Sequence, residues 1–305
     1  MSQPTAPQFQ PVHIGTAAKP PLAVVPEPAT LFARRAERFR ALSPDHQLAG
    51  YLGFLADLAD AQAAILPGLP PAVLPDAALV ERAITHGMAP IARSEVAIDD
   101  TVMTTLDRLL DAARGIAMPD SAQAARDGVI AAPAEEKRAM IANVLADSLP
   151  ANEMAEHVFV AAALQVHFAR LAAQLPGERL TPVSDGACPA CGGPPVSSSV
   201  VAWQGSESTR FATCASCATA WHVVRIKCVA CSSTKGIHYA HVEGTADTLK
   251  AECCDECGTY LKILYNVHDA ALDAVADDVA SAGLDLLVRD KGHRRSGFNV
   301  FLAGF

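Results

Sequence analysis

The stretch FATCASCATAWHVVRIKCVACSS, residues 211–233, contains two C-x-x-C pairs that are only ten residues apart. Two further pairs flank it. The four pairs are CPAC at 188–191, CASC at 214–217, CVAC at 228–231 and CDEC at 254–257. Twenty-two residues separate the first pair from the second, and twenty-two separate the third from the fourth. The cysteine pattern therefore repeats with a period of 40 residues, which indicates two similarly built modules.

This spacing is typical of tetrahedral metal binding. Two thiolates three residues apart can converge on one ion when the backbone between them forms a tight knuckle, and a second knuckle completes the tetrahedron. Gly192 and Gly258 directly follow their pairs, where a free backbone helps the chain turn. The period predicts that consecutive pairs share an ion. The predicted ligands are Cys188, Cys191, Cys214 and Cys217 for the first site and Cys228, Cys231, Cys254 and Cys257 for the second.

Two alternatives stay open at this point. The inner pairs could share one metal and the outer pairs another. Cys253 is the ninth cysteine and could replace Cys254 in a C-x-x-x-C register, although the two-residue gap of the other pairs favours Cys254. Because eight cysteines suffice for two ions, we interpret His222, His238 and His241 as neighbours of the sites or surface residues and not as ligands.

The identity of the metal does not follow from the spacing, because four thiolates suit both zinc and a single iron. Zinc would be structural, whereas iron could exchange one electron. A site with four cysteines leaves no open position for a substrate, so neither metal makes a hydrolytic centre. The sequence also lacks a phosphate-binding glycine loop and a G-x-S-x-G elbow. We therefore predict no catalytic residue and no enzymatic activity.

The distribution of cysteines favours metal binding. All nine cysteines lie between Cys188 and Cys257, and in a reducing compartment such clustering favours metal or redox chemistry over disulfides.

The charge of the chain limits its partners. The net charge of -9 gives no broad positive field. Residues 181–265 carry six basic and seven acidic side chains, and eight thiolates on two divalent ions would add about -4. Such a surface repels phosphate backbones, so we expect no nucleic-acid partner.

The chain has no feature that predicts export or membrane insertion. Its start lacks the charged and apolar regions of a secretory signal. Its longest apolar run, near 158–164, is far shorter than the roughly 20 residues that cross a bilayer. We expect a cytoplasmic protein with no stable membrane insertion, and the sequence leaves open whether it forms a homodimer.

The predicted fold class is α+β and multidomain: an all-α N-terminal domain, two small rubredoxin-like or zinc-ribbon-like four-cysteine modules, and a C-terminal helix. The predicted boundaries are a flexible proline-rich arm at 1–27, helices at 28–180, the modules at 181–224 and 225–265, and a helix and tail at 266–305.

Within these regions, Ser43 followed by Pro44 predicts a capped helix start, and Pro67-Gly68 predicts that helix's end. Further helices are predicted near 78–90, 100–117, 134–147 and 152–175, the last one buried, and strands near 196–203, 221–226, 237–242 and 260–265.

Three runs resemble a known family. CATAWHVVRIKCVAC at 217–231, CCDECGTYLKILY at 253–265 and CPACGGPPVSS at 188–198 are similar to the formate dehydrogenase accessory protein family called FdhE. The resemblance covers residues 188–265 and extends to AVADDVASAGLDLL at 274–287. Upstream it is limited to a helical domain of suitable length.

The resemblance implies a cytoplasmic maturation factor that binds the catalytic subunit of respiratory formate dehydrogenase before that subunit is exported. It also implies rubredoxin-like iron binding by the paired cysteines, which favours iron over zinc as the metal of the two sites. The alternative is a redox protein that delivers electrons to this client or senses oxygen for it. A nucleic-acid-binding zinc ribbon is disfavoured by charge. No motif identifies the surface that binds the client.

Overall fold

The structure is a computed structural model that describes residues 19–203, 206–244 and 246–303. Most of the predicted proline-rich arm, residues 1–18, lies outside the described residues. Just after it, strand β1 (Ala23–Val24) pairs antiparallel with strand β4 (Ala220–Val223). Ala23 is buried, so this short segment is attached to the edge of the sheet.

The N-terminal part is helical, as predicted. The helices that the structure describes are α1 (Pro28–Leu42), α2 (Ala49–Ile65), α3 (Ala77–Thr85), α4 (Asp100–Ala112), α5 (Asp120–Ala131), α6 (Ala134–Leu145), α7 (Met154–Ala172), α8 (Ala276–Ala280) and α9 (Ala282–Asp290). Helix α7 is buried along almost its whole length, which confirms the prediction of a central helix. None of the described helices combines the length and the apolar character that a membrane span requires.

One predicted helix start is wrong. Ser43 does not cap the following helix but ends α1, where its N–H donates to the Arg40 carbonyl. Asp45 then adopts a positive φ of 58°, and α2 begins at Ala49 with no side-chain cap. Ser43 therefore belongs to the end of α1, a helix whose bounds were not predicted from the sequence. The predicted end of α2 at Pro67-Gly68 is confirmed by a 3-10 turn at Leu66–Gly68.

The two cysteine modules lie in one sheet. Its remaining strands are β2 (Pro195–Trp203), β3 (Ser206–Cys214), β5 (Ile237–Ala240), β6 (Leu249–Cys254), β7 (Thr259–Tyr265) and β8 (Arg294–Arg295). The order is β1-β4-β3-β2-β7-β6-β5, with β8 paired to β7. Each module contributes an antiparallel set, and the sets join where β2 and β7 run parallel. The predicted α+β class, with two four-cysteine clusters on the sheet, is confirmed.

A buried ion pair crosses the seam between the modules. Arg210 on β3 meets Glu252 on β6 at 2.9 Å, and both side chains are almost fully buried. Arg210 also donates to the Ser198 hydroxyl on β2. Strands β2 and β7 separate β3 from β6, so the arginine spans the join and ties one module to the other. Bidentate pairing with further hydrogen bonds is the geometry that offsets the desolvation of buried charges.

A second buried network attaches the C-terminal helices to the sheet. Lys262 on β7 lies 3.3 Å from Asp278 on α8, and both side chains are fully buried. Arg295 and Asn299 also donate to Asp278, at 2.5 and 2.7 Å. Burial alone would raise the pKa of Asp278, but the charges of Arg295 and Lys262 hold it below its usual value. The carboxylate therefore stays ionised and fixes α8 against β7.

We predict that Arg210→Met destabilises the protein by about 3–5 kcal/mol, because it leaves Glu252 buried without its charge partner. The double variant Arg210→Met/Glu252→Leu should recover most of this loss, since it removes both charges. The free energy of unfolding in guanidinium chloride, measured at a fixed metal concentration, tests the prediction. The control is Arg114→Met, which breaks an exposed pair with Asp111 and should cost less than about 1 kcal/mol. Equal losses in the single and double variants would contradict the seam argument.

Candidate metal centres

The four C-x-x-C pairs form the same backbone turn. The residue directly after each pair has a positive φ: 74° at Gly192, 60° at Ala218, 62° at Ser232 and 64° at Gly258. Two of these residues are Gly192 and Gly258, for which the sequence analysis expected a turn helped by a free backbone. The other two carry a side chain and adopt the left-handed conformation nevertheless, which costs roughly 1–2 kcal/mol for a residue with a Cβ atom. The knuckle geometry is therefore common to all four pairs.

Backbone hydrogen bonds close these turns. The N–H of Gly192 donates to the Cys188 carbonyl at 2.8 Å, and the N–H of Ser232 donates to the Cys228 carbonyl at 2.9 Å. In the second pair the N–H groups of Ser216 and Cys217 point at the Cys214 sulfur, at 3.4 and 3.5 Å. N–H groups aimed at sulfur favour the thiolate over the thiol. The knuckles are thus suited to charged sulfur ligands.

Consecutive pairs come together. The sulfur atoms of Cys188, Cys191, Cys214 and Cys217 lie within 4.8 Å of one another, and so do those of Cys228, Cys231, Cys254 and Cys257. The interleaved grouping does not occur among the residues that the structure describes. Nor does Cys253 replace Cys254 in the second group.

The sulfur separations fit a metal ion. They are 3.5 Å for Cys188–Cys217 and 3.4 Å for Cys191–Cys214. In the second group they are 3.7 Å for Cys228–Cys257 and 3.8 Å for Cys231–Cys254. Four sulfurs at about 2.3 Å from a central ion lie roughly 3.8 Å apart, whereas bonded sulfurs lie about 2.05 Å apart. We therefore propose the eight cysteines as ligands of two ions.

The first site lies at the junction between helices and sheet. All four of its cysteines are at most 2% exposed. A loop of the helical part is attached to its first knuckle, where the N–H of Ile91 donates to the Ala190 carbonyl and the N–H of Arg93 donates to the Cys191 carbonyl, both at 3.0 Å. The Arg93 side chain continues to Asp147, at 2.8 Å. The first site therefore joins the two halves of the molecule.

Arg93 also places a positive charge beside the first site. Burial by itself would lower the pKa of Arg93, but its pairing with Asp147 and the attraction of the Cys191 and Cys214 sulfurs hold it above the usual value. Four thiolates around a divalent ion leave a net charge of about -2. A guanidinium that stays charged beside them offsets part of this charge. Cysteine spacing gives no sign of this residue, because it lies 95 positions before Cys188.

The second site is open to solvent. Cys231 is exposed and Cys257 is half-buried, while Cys228 and Cys254 are buried. Burial raises the pKa of Cys228 to about 12. Burial would also raise the pKa of Cys257, but hydrogen bonds with the Thr259 hydroxyl and the neighbouring thiols lower it to about 7. Metal binding must therefore displace protons from most of these thiols, so affinity should weaken as pH falls.

Two threonines beside the sites were missed by the sequence reading. The Thr219 hydroxyl lies 3.2 Å from the Cys217 sulfur, and the Thr259 hydroxyl lies 3.1 Å from the Cys257 sulfur. They stand 40 residues apart, so the cysteine period already contained the signal. In the first site the Cys217 thiol donates to the Thr219 hydroxyl, and in the second site either Cys257 or Thr259 can be the donor.

Of the histidines interpreted as non-ligands, His222 and His241 lie outside every such group of described residues. His238 does not: it lies with Cys253 and His293 in a third group whose ligand atoms are within 4.8 Å of one another.

The chain matches family models over almost its whole length. The models are FdhE, N-terminal, at residues 20–185, FdhE, central domain, at 187–225, and FdhE, C-terminal domain, at 226–302. The FdhE homolog of Rhizobium meliloti is 46% identical over 98% of both chains. The FdhE homolog of Edwardsiella ictaluri is 36% identical over 92% of this chain and 90% of its own. The crystal structure of the FdhE protein from Pseudomonas aeruginosa superposes with a TM-score of 0.83 at 32% identity, covering 93% of this chain and 99% of that one.

We predict opposite effects for two substitutions after the knuckles. Ala218→Gly should stabilise the protein by about 0.5–1 kcal/mol, because glycine adopts the positive φ without a steric cost. Gly258→Ala should destabilise it by about 1 kcal/mol. A Cβ atom at Gly258 would meet nothing within 4 Å, so the effect is confined to the backbone.

The measurement is the free energy of unfolding of the metal-loaded protein. Ala230→Gly is the matched control, because Ala230 lies inside a knuckle but has no positive φ. It should lose about 0.5–1 kcal/mol through the greater freedom of the unfolded chain. A stabilisation by Ala230→Gly equal to that by Ala218→Gly would show that the knuckle conformation is not the cause.

Proposed function

The chain belongs to the FdhE family, and from this premise we propose that it is a cytoplasmic accessory factor. It binds the catalytic subunit of respiratory formate dehydrogenase and supports the assembly or activation of that subunit before export. The observation that carries the proposal is the match to FdhE models across residues 20–302, together with 46% identity to an FdhE homolog over 98% of the chain. Membership of this family supports a formate dehydrogenase accessory role.

The chemistry of the two four-cysteine sites supports a role without catalysis. Each site supplies four sulfur ligands, so an ion bound there has no coordination position left for a substrate. Such an ion contributes folding energy instead. The metal would hold the sheet in the shape that the client recognises.

An apolar groove supports a role in protein binding. It has a volume of about 870 Å³ and runs from α3 to the first knuckle. Val73, Met88 and Val183 line it and are 75%, 59% and 66% exposed. Arg82 and Glu95 also line it, so the groove combines apolar side chains with charged ones. Exposed apolar residues rimmed by polar ones are typical of partner-binding sites. The groove gives an accessory factor a surface for an unfinished subunit.

The proposal predicts that the tagged full-length chain recovers the formate dehydrogenase catalytic subunit from cells that produce it. Cys231→Ser should reduce the recovery at least fivefold, because it removes one ligand of the second site. Ala230→Ser is the matched control, since it adds an exposed hydroxyl to the same knuckle and leaves all four sulfurs in place. Equal recovery with Cys231→Ser would remove the second module from client binding, and no recovery with the unaltered chain would overturn the proposal.

A second candidate is a redox protein that serves the same client. The exposure of Cys231 favours it, because an iron at the second site would lie within reach of an electron partner. If this reading is right, the anaerobically purified protein contains iron and its visible absorption changes reversibly on reduction. A colourless protein with two zinc ions per chain would exclude it.

A further inference from the structure

We infer that His238, Cys253 and His293 form a third metal site, distinct from both four-cysteine sites, that takes a divalent transition metal such as zinc or cobalt. One ligand atom from each residue lies within 4.8 Å of the other two. Ligation at about 2.0–2.3 Å in a tetrahedral arrangement brings nitrogen and sulfur donors to roughly 3.5 Å. The observed spacing needs only small side-chain movements to reach this geometry.

The β5–β6 pair builds half of the site. His238 on β5 is directly opposite Cys253 on β6 in the antiparallel register. Directly opposite residues of an antiparallel pair project from the same face of the sheet. Successive residues of a strand project from opposite faces, so Cys253 and Cys254 point apart. Strand β6 therefore presents one thiol to the second four-cysteine site and the other to His238.

The chain after α9 supplies the third residue. Gly292 has a φ of 91°, which lets the backbone reverse after the helix. The next residues are held to the sheet, because the N–H of Arg294 donates to the Gly258 carbonyl at 2.8 Å and Arg294 pairs with Thr259. His293 is thereby fixed beside β5, with its ring centroid 5.3 Å from that of His238.

Asp255 orients the His293 imidazole and lies close to the His238 imidazole. Its carboxylate lies 3.3 Å from His293 Nε2 and 3.6 Å from His238 Nδ1. A carboxylate that accepts from one ring nitrogen leaves the other nitrogen with its lone pair free, which is the usual arrangement behind a metal-binding histidine. Asp255 thus leaves His293 Nδ1 as the nitrogen with the free lone pair, while its contact with His238 is longer than a hydrogen bond.

Packing alone does not explain the environment of His293 Nδ1. It is buried, and no hydrogen-bond partner for it exists among the described residues. A buried polar atom without a partner is uncommon and needs a reason. Packing against Leu284 and Val288 accounts for the burial of Cys253, but it gives nothing to this nitrogen. A metal ion held with Cys253 and His238 would satisfy it.

The donor set defines the ligand and separates this site from the other two. Two imidazoles and one thiolate suit zinc, cobalt or copper, and three protein ligands leave a further position for water or a partner's side chain. The His238 side chain is 48% exposed, so that position is within reach of solvent. We therefore assign to this site an exchangeable metal. The four-cysteine sites differ from it because four sulfur ligands leave no open coordination position.

The test is a titration of the full-length protein, with both four-cysteine sites already filled, by cobalt(II). We expect one further equivalent to bind, with visible absorption bands and a thiolate-to-cobalt charge-transfer band. Cys253→Ala should abolish the charge-transfer band, and His238→Gln should weaken binding of the extra equivalent at least tenfold. His241→Gln is the matched control, since this exposed histidine lies close to β5 but outside the cluster.

Metal content at the four-cysteine sites, measured on each variant, must stay unchanged. If Cys253→Ala fails to fold, the cobalt affinity of His238→Gln decides the test, because the half-exposed His238 side chain can be replaced without disturbing the core. Failure of the unaltered chain to take an extra equivalent at millimolar cobalt would overturn the inference. Equal affinities for His238→Gln and His241→Gln would overturn it as well.

Discussion

The architecture depends on four buried sulfurs at the place where the helices meet the sheet. Burial raises the pKa of Cys188 well above its usual value, so this thiol does not ionise there without compensation. Burial would also raise the pKa of Cys214, but hydrogen bonds with the neighbouring thiols hold it well below its usual value. A divalent ion bound by these four sulfurs would supply that compensation. Because the loop at Ile91 and Arg93 is hydrogen-bonded to the first knuckle, the order of this cluster and the docking of the helical part are linked. Metal binding at the first site would therefore stabilise the docking of the helical part on the sheet.

The repeat in the sequence does not produce equivalent sites, because the fold treats its two halves differently. The helical part covers the first site completely, whereas the second stands at an uncovered end of the sheet with Cys231 exposed. Both modules nevertheless form one sheet, because β2 and β7 run side by side and Arg210 reaches Glu252 across these two strands. The first site is thus enclosed and the second is accessible from solvent, although each consists of four cysteines.

Local patterns predicted the features that depend on local chemistry. The cysteine spacing gave the grouping of the pairs, the apolar run in α7 gave a central helix, and the β-branched runs gave β2 and β7. Strands β3 and β6 went unpredicted because SESTRFATC and LKAECC carry few of the residues that favour strands. The role of Arg93 depends on contacts more than 50 residues away along the chain, which no periodicity encodes. The joining of both modules in one sheet is likewise a long-range pairing.

The position of Cys253 shows that the number and spacing of cysteines do not predict which face of a strand each thiol occupies. Its position next to Cys254 made it look like a spare ligand, yet the alternation of a strand directs neighbouring side chains to opposite faces. The same alternation that excludes Cys253 from the second four-cysteine site places it opposite His238. An ion held by four sulfurs would have no coordination position open to water or to a partner's side chain. An ion held by two imidazoles and one thiolate at a half-exposed position would follow the free metal concentration. Strand β6 would then contribute Cys254 to a four-cysteine site on one face and Cys253 to an exchangeable metal site on the other.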